Sequence, residues 1–339
     1  MNNRVYVQTN DAERNAVIAF DRSADGRLSP LGTYETGGRG TGKQHLASQS
    51  SVVLSEDGAW LLVANPGSDE LSLFAVEPDG LRHAALVASG GSSPTSIAVR
   101  EGLVYALNNG TPNISGFRLA GGALAPLDGS TRPLSGDDAD PAQISFSPDG
   151  RMLVVTERGT NRISTYAVDE LGYAEGPASI PSSGATPYGF DFVDGCVVVT
   201  EAFGGEIGKA AASSYSLSGR ERLEPVSASV ADTRSEVCWA VATPDGRFVY
   251  VTNFGDCTVS SYAVQPGGGL ELLEAVAGSA RLGAPGLRDE ALSRDGRFLY
   301  AIDADGQRVF GWNVGEDGRL DPVGEFGGVP ATVAGLAAS

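Results

Sequence analysis

One phrase recurs around this chain and limits what it can fold into: an Asp-Gly turn followed at once by a short apolar run that ends on a polar residue. The clearest copy is Ser147-Pro148-Asp149-Gly150-Arg151, followed by Met152-Leu153-Val154-Val155-Thr156-Glu157. Asp57-Gly58 precedes Trp60–Asn65, Asp245-Gly246 precedes Phe248–Asn253, and Asp295-Gly296 precedes Phe298–Asp303. Weaker copies are Glu101-Gly102 before Leu103–Asn108 and Asp194-Gly195 before Cys196–Glu201. Self-similarity at a period of about 40 to 55 residues is the mark of a repeat architecture. A chain of 339 residues would otherwise suggest two or three domains. The repeat predicts instead one closed domain over residues 1–339.

Each unit has the same grammar: a short strand, an Asp/Gly turn, an apolar strand, a second polar turn, then an alternating strand. Asp-Gly and Asn-Gly pairs supply the positive φ that tight hairpins need. The second strands, such as Leu61-Leu62-Val63 and Leu153-Val154-Val155, are apolar on both sides. A strand covered on one face would alternate, so these sheets are sandwiched between neighbours. The third strands recur as Ala16-Val17-Ile18-Ala19-Phe20-Asp21, Leu71-Ser72-Leu73-Phe74, Ile114-Ser115-Gly116-Phe117, Ile163-Ser164-Thr165-Tyr166, Ser213-Ser214-Tyr215, Val259-Ser260-Ser261-Tyr262 and Val309-Phe310-Gly311-Trp312. Seven copies predict an all-β, seven-bladed propeller with four-stranded blades. The first unit lacks an innermost strand before Val5. The end of the chain carries an orphan one, Val333-Ala334-Gly335-Leu336-Ala337-Ala338. The orphan is expected to dock beside the opening strand and close the ring, removing both edges.

Composition narrows the partners. A formal charge of -18 disfavours DNA and RNA. No stretch is long and apolar enough for a membrane span, and Met1-Asn2-Asn3-Arg4 runs straight into strand-like sequence without a secretory pattern. The three cysteines, Cys196, Cys238 and Cys257, have neither disulfide nor zinc-ligand spacing. These features predict a cytoplasmic monomer that takes a small molecule, with no cofactor.

The innermost strands run toward the Asp-Gly turns and the second strands return. Residues before the former and residues ending the latter therefore share one face, around the mouth of the central channel. They include His45, Gln49, Gln143, Tyr188, Arg234, Glu236, Cys238, Trp239, Arg288 and Asp289 in the first group. The second holds Asn65, Asn108, Glu157, Arg158, Glu201, Asn253 and Asp303. Such a mouth is the default pocket of a ring. Two long loops, 37–49 and 204–212, are further places for function.

The repeat resembles that of the lactonase-type seven-bladed propellers, which include 6-phosphogluconolactonase and the fungal 3-carboxymuconate lactonising enzyme. Its carriers are Pro94-Thr95-Ser96, Pro141-Ala142-Gln143 and Pro187-Tyr188-Gly189 before the innermost strands, the Ser-Pro-Asp-Gly-Arg turn, and strand ends such as Thr156-Glu157. The stretch Gly38-Arg39-Gly40-Thr41-Gly42 looks like that of a bacterial branch of these proteins. The resemblance implies hydrolysis or cycloisomerisation of a small anionic or carbohydrate-derived lactone. The sequence also departs from the family. The positions that often hold histidine carry Ser51, Ser96, Gln143, Gly189, Trp239, Asp289 and Thr332, and Arg288 alone keeps the adjoining arginine.

Without those histidines, Glu157 and Glu201 are the expected general acid or base, since two near carboxylates can push one pKa upward. Arg158, Arg234 and Arg288 would hold an anion or polarise a carbonyl. Gln143, Tyr188, Trp239, Asn65 and Asn253 complete the expected substrate-binding set, and His45 is a third catalytic candidate. The competing reading makes Glu157 and Glu201 strand-end anchors paired with arginine, His45 a solvated loop residue, and Tyr188 and Trp239 packing residues. A divalent cation on Glu157, Glu201, Asn253 and Asp303 is the oxygen-ligand alternative. The rival to an enzyme is a catalytically silent propeller that binds a ligand or protein. Whether loop 37–49 leaves the mouth open or plugs it separates the two.

Overall fold

The computed structural model describes residues 3–44, 46–193, 195–218 and 222–339. Seven antiparallel sheets form the ring, six of them with chain order running from the axis outward. Blade 4 shows the plan with Pro141–Phe146, Met152–Glu157, Arg162–Val168 and Ala174–Pro181. The innermost strands of blades 2 to 7 are Val52–Leu54, Pro94–Arg100, Pro141–Phe146, Pro187–Val193, Val237–Ala242 and Leu287–Leu292. Blade 3 carries an extra short strand, Arg132–Pro133, on its third strand.

Blade 1 takes its innermost strand from the end of the chain, as the orphan segment predicts. Ala334–Ala338 pairs antiparallel with Arg4–Gln8, with Val5 opposite Ala338 and Val7 opposite Leu336. The Ser339 amide donates to the Arg4 carbonyl at 2.9 Å. Both edges of the ring are thereby consumed.

The turns explain why the repeated phrase folds as it does. In blade 4 the Ser147 hydroxyl donates to Asp149 at 2.7 Å and accepts from the Met152 amide at 3.0 Å. Asp149 also accepts from the Arg151 amide at 3.1 Å, and Gly150 sits at φ 71°. The same clasp is built at Ser55/Asp57, Thr243/Asp245 and Ser293/Asp295. The hydroxyl bond holds the Asp149 carboxyl below its ordinary range.

Apolar clusters fill the seams between blades. Leu61 and Val63 face blade 1, while Leu62 and Ala64 face blade 3. Each second strand therefore buries both faces, the pattern read from its lack of alternation. The insertion expected at 204–212 is shorter than that. Ala211 and Ala212 pair with Glu201 and Thr200 as the start of the third strand. The helical content among the described residues is two 3-10 turns, Phe203–Gly205 and Phe254–Asp256. No helix is long and apolar enough to cross a membrane.

Candidate functional site

The polar residues that close the second strands lie in the seams. Glu157 is fully buried. It accepts from Thr160 at 2.7 Å, from Ser164 at 2.6 Å, from the Ser135 amide at 3.2 Å, and from the Ser135 hydroxyl. Glu201 is equally buried, with donors in Ser213 (2.6 Å), Ser229 (2.7 Å) and the Gly184 amide (2.7 Å). Asn65 joins Asn15, Thr36 and Ser72. Asn253 donates to Thr258 and Ser260, and Asp303 is gripped by Arg281. Asn65, Glu157 and Glu201 thus tie their own third strands to the linker arriving from the blade before, while Asn253 holds its third strand and Asp303 holds the linker. The shared acidic rim expected from Glu157 and Glu201 does not form. Their partners are hydroxyls and amides, where the anchor reading expected arginine. The four residues offered to a divalent cation serve separate seams. Among the described residues, no three His, Cys, Asp or Glu side chains converge as a metal site.

Arg158 and Arg234 are ion-paired, while Arg288 keeps two buried donors, Nε and Nη1, without a hydrogen-bond partner among the described residues. Arg158 donates to Asp140 at 2.6 Å and lies 4.9 Å over the Tyr188 ring. Arg234 pairs with Asp256 at 3.4 Å. Arg288 is buried, 4.8 Å over Phe254 and 3.7 Å from Asp305. His45 lies outside the described residues.

The mouth itself is filled. Tyr188, Cys238 and Trp239 pack with Ala142 and Ala202, and Ala47 and Phe254 close over them. The Tyr188 and Trp239 rings meet edge to face at 5.6 Å, so both are packing residues here. Burial pushes the Cys238 thiol and the Tyr188 phenol well above their ordinary pKa values. The loop from residue 37 ends inside this cluster. Trp239 Nε1 donates to the Ser48 carbonyl at 2.9 Å, and the Gln49 side-chain amide bonds the Ala240 backbone across the channel. The loop plugs the strand-start face.

Below the plug the channel widens to a cavity of about 410 Å³ whose lining reaches the exposed Asp-Gly turns at Pro244 and Arg294. Gln143 lines it, alone among the described residues that the sequence put forward for catalysis or substrate binding. Gln143 is bound to the Phe190 backbone through both amide atoms, at 2.6 and 2.9 Å. Its lining mixes apolar residues such as Val52, Leu54 and Leu336 with the carboxyls Asp191, Asp289 and Glu290.

On sequence alone Asp289 stands at the mouth without a catalytic role, and Asp191 and Glu290 are passed over. Burial raises Asp191 to about 6, against hydrogen bonds from the Ala242 and Phe192 amides, each 2.8 Å. Asp191 keeps some water access from the channel, which tempers that penalty. Burial raises Asp289 to about 7, opposed by the Gly335 amide at 2.9 Å and by Arg288. Glu290 is pushed well up by burial and by the nearby Asp191 charge, against the Thr252 amide. A protonated Glu290 beside an ionised Asp191 relieves their repulsion. The signal in the sequence was an acidic residue inside an innermost strand, as in Phe190-Asp191-Phe192 and Arg288-Asp289-Glu290-Ala291.

Comparison with known proteins places this geometry. The family model described as Lactonase, 7-bladed beta-propeller matches residues 3–132 and 120–202, more than half of the chain. A protein from Lactobacillus plantarum superposes with a TM-score of 0.81 at 17% identity, over 100% of both chains. The periplasmic gluconolactonase of Pseudomonas aeruginosa gives 0.78 at 18% identity, over 100% of this chain and 99% of that one. A provisionally assigned 6-phosphogluconolactonase from Bacteroides uniformis gives 0.76 at 20%, over 99% and 100%. At such identities the superpositions speak for the fold alone. No curated protein matches by sequence.

Proposed function

The chain belongs to the lactonase family of seven-bladed β-propellers, and from that premise we propose that it hydrolyses a small uncharged lactone of carbohydrate type in the central cavity. The observation that carries this reading is the pair Asp191 and Asp289, raised to about 6 and about 7, on the wall of one 410 Å³ cavity. Groups tuned apart around neutral pH divide acid and base work between them. Ionised Asp191 takes a proton from water as the water oxygen attacks the lactone carbonyl. Protonated Asp289 hydrogen-bonds the oxyanion and passes its proton to the ring oxygen as the acyl C–O bond breaks, after which the proton held by Asp191 returns to Asp289 through water. Lactone and water become the hydroxy acid.

The cavity's charge selects the substrate. Three carboxyls face one basic side chain in the lining, Arg294 at the rim, whose guanidinium is already bound to the Glu56 carbonyl. A phosphate or carboxylate would meet the ionised Asp191 with no free cation among the described lining residues to hold it, while Asp289 and Glu290 keep their protons. A hydroxylated neutral ring meets acceptors and amides suited to it, in a volume typical of small-ligand sites.

The test is a panel of uncharged sugar lactones, phosphorylated sugar lactones and muconolactones, assayed with wild type, Asp191→Asn and Asp289→Asn. Turnover confined to uncharged lactones and lost in Asp191→Asn supports the proposal; turnover indifferent to both substitutions overturns it. The second reading, a binding propeller without turnover, is favoured by the plugged mouth and by the seam-bound Glu157 and Glu201. Saturable binding of an uncharged lactone without hydrolysis decides for it.

A further inference from the structure

Blade 5 lacks a connection that other blades make with their own side chains. Ser96 of blade 3 accepts from the Ile144 amide of blade 4 at 3.1 Å. Gln143 of blade 4 accepts from Phe190 of blade 5 at 2.6 Å, and Asp289 of blade 7 accepts from Gly335 of blade 1 at 2.9 Å. The corresponding residue of blade 5 is Gly189, with no side chain to offer. The Ala240 amide of blade 6 is served instead by Gln49, from the entry to blade 2, at 3.1 Å. Gln49 Nε2 returns a bond to the Ala240 carbonyl at 2.8 Å. A Cβ on Gly189 would lie 2.3 Å from Gln49 Oε1. The glycine leaves a slot, and a borrowed side chain fills it.

The segment that brings Gln49 there is lightly held. Blade 2 pairs its innermost strand over three residues only, Val52–Leu54, where the other blades use five to seven. The chain above leaves its sheet and crosses the channel. Ser51 and Ser50 still hold the Ala64 and Ile97 amides through their carbonyls, at 2.9 and 2.8 Å; beyond them the anchors are the Gln49 amide to the Ala142 carbonyl at 3.1 Å and Trp239 to the Ser48 carbonyl at 2.9 Å. The buried Ser48 hydroxyl has no partner among the described residues. A buried hydroxyl left unpaired disfavours the closed arrangement.

We propose that residues 46–49 form a displaceable stopper, with Gln49 as an internal ligand in a slot that reads a planar amide. Ala240 offers one N–H and one C=O side by side. A primary amide or a lactam edge supplies an acceptor and a donor in one plane and matches both. A carboxylate has no proton for the carbonyl, and an ammonium has no lone pair for the N–H. A ligand carrying such an edge replaces Gln49 and opens the channel to the strand-start face.

The full-length chain with Cys196→Ser and Cys257→Ser leaves Cys238 as its one thiol, packed in the cluster that Ala47 closes. Its alkylation by N-ethylmaleimide reports opening. Gln49→Gly is expected to speed alkylation about tenfold or more, the scale of one to two net hydrogen bonds. Acetamide should speed alkylation of the parent toward the rate of Gln49→Gly, while acetate should not. An unchanged rate in Gln49→Gly overturns the stopper. Failure of acetamide to speed the parent, or equal speeding by acetate, overturns the amide-reading slot. If Gln49→Gly does not fold, hydrogen exchange in the parent decides. The Ala240 amide should exchange about tenfold faster than that of Phe190, whose acceptor sits on a strand; equal rates overturn the proposal.

Discussion

Ser229, on the outermost strand of blade 5, donates at 2.7 Å to Oε2 of Glu201, which ends that blade's second strand. Three of the blade's four strands meet at this carboxylate, because Ser213 on the third strand bonds its other oxygen at 2.6 Å. Glu201→Ala should therefore destabilise by about 2 to 4 kcal/mol, since several buried donors lose their acceptor at once. Glu201→Gln should fall between, because an amide accepts through one oxygen only. Thermal denaturation measures both. Lactone turnover by the folded Glu201→Gln protein should stay within a factor of about two, because the group does not line the central cavity.

Stability should fall as pH rises from 5 to 8. Asp191, Asp289 and Glu290 all have folded pKa values above their unfolded ones. The folded state therefore holds more protons, and stability is full below about pH 4 for these groups. It is lost as pH climbs through about 6 for Asp191 and about 7 for Asp289. Asp289→Asn removes one contributor, so its melting temperature should vary less with pH than that of wild type, the difference building between about pH 4 and about pH 7 and levelling off above it. A parallel pair of curves would contradict the assignment.

The closed ring was legible in the sequence because it rests on local chemistry. Asp149 and Gly150 make a turn wherever they stand, and an apolar run such as Leu153-Val154-Val155 requires cover on both faces. The orphan strand around Leu336 had one vacant place to go. The site was not legible in the same way. Glu157 and Glu201 share a face with the mouth, yet strand position does not say whether a side chain turns to the axis or to a seam. Ser135 and Ser229, which draw them into the seams, lie on other segments of the chain. Gln49 closes the mouth through Ala240, 191 residues away, a pairing no local pattern encodes. Asp191 was hidden among apolar residues, where its neighbours read as core.

If Asp191 is the base, kcat/KM for an uncharged lactone should rise with pH through about 6 and level off while Asp289 keeps its proton. A decline should follow above about 7 as Asp289 ionises. Asp191→Asn should lower kcat by about 100-fold or more, the usual contribution of a positioned base. A monotonic profile through both values, or a variant as fast as wild type, removes Asp191 from this role.

Deleting residues 334–339 should abolish the closed ring. The deletion removes the partner of Arg4–Gln8, together with the Ser339 carbonyl that binds Arg22 at 3.0 Å. Tyr6 and Val7, both fully buried, would then stand on an open sheet edge, a template for pairing with other chains. The truncated protein should melt lower and form aggregates visible by size exclusion. A synthetic peptide of the six missing residues should restore part of the lost stability, because an added strand supplies backbone bonds to a ready edge. The peptide with proline in place of Leu336 should not, since that substitution removes a backbone donor and clashes with the strand register. A truncation that melts like the full chain would show that the ring is held by its seams alone.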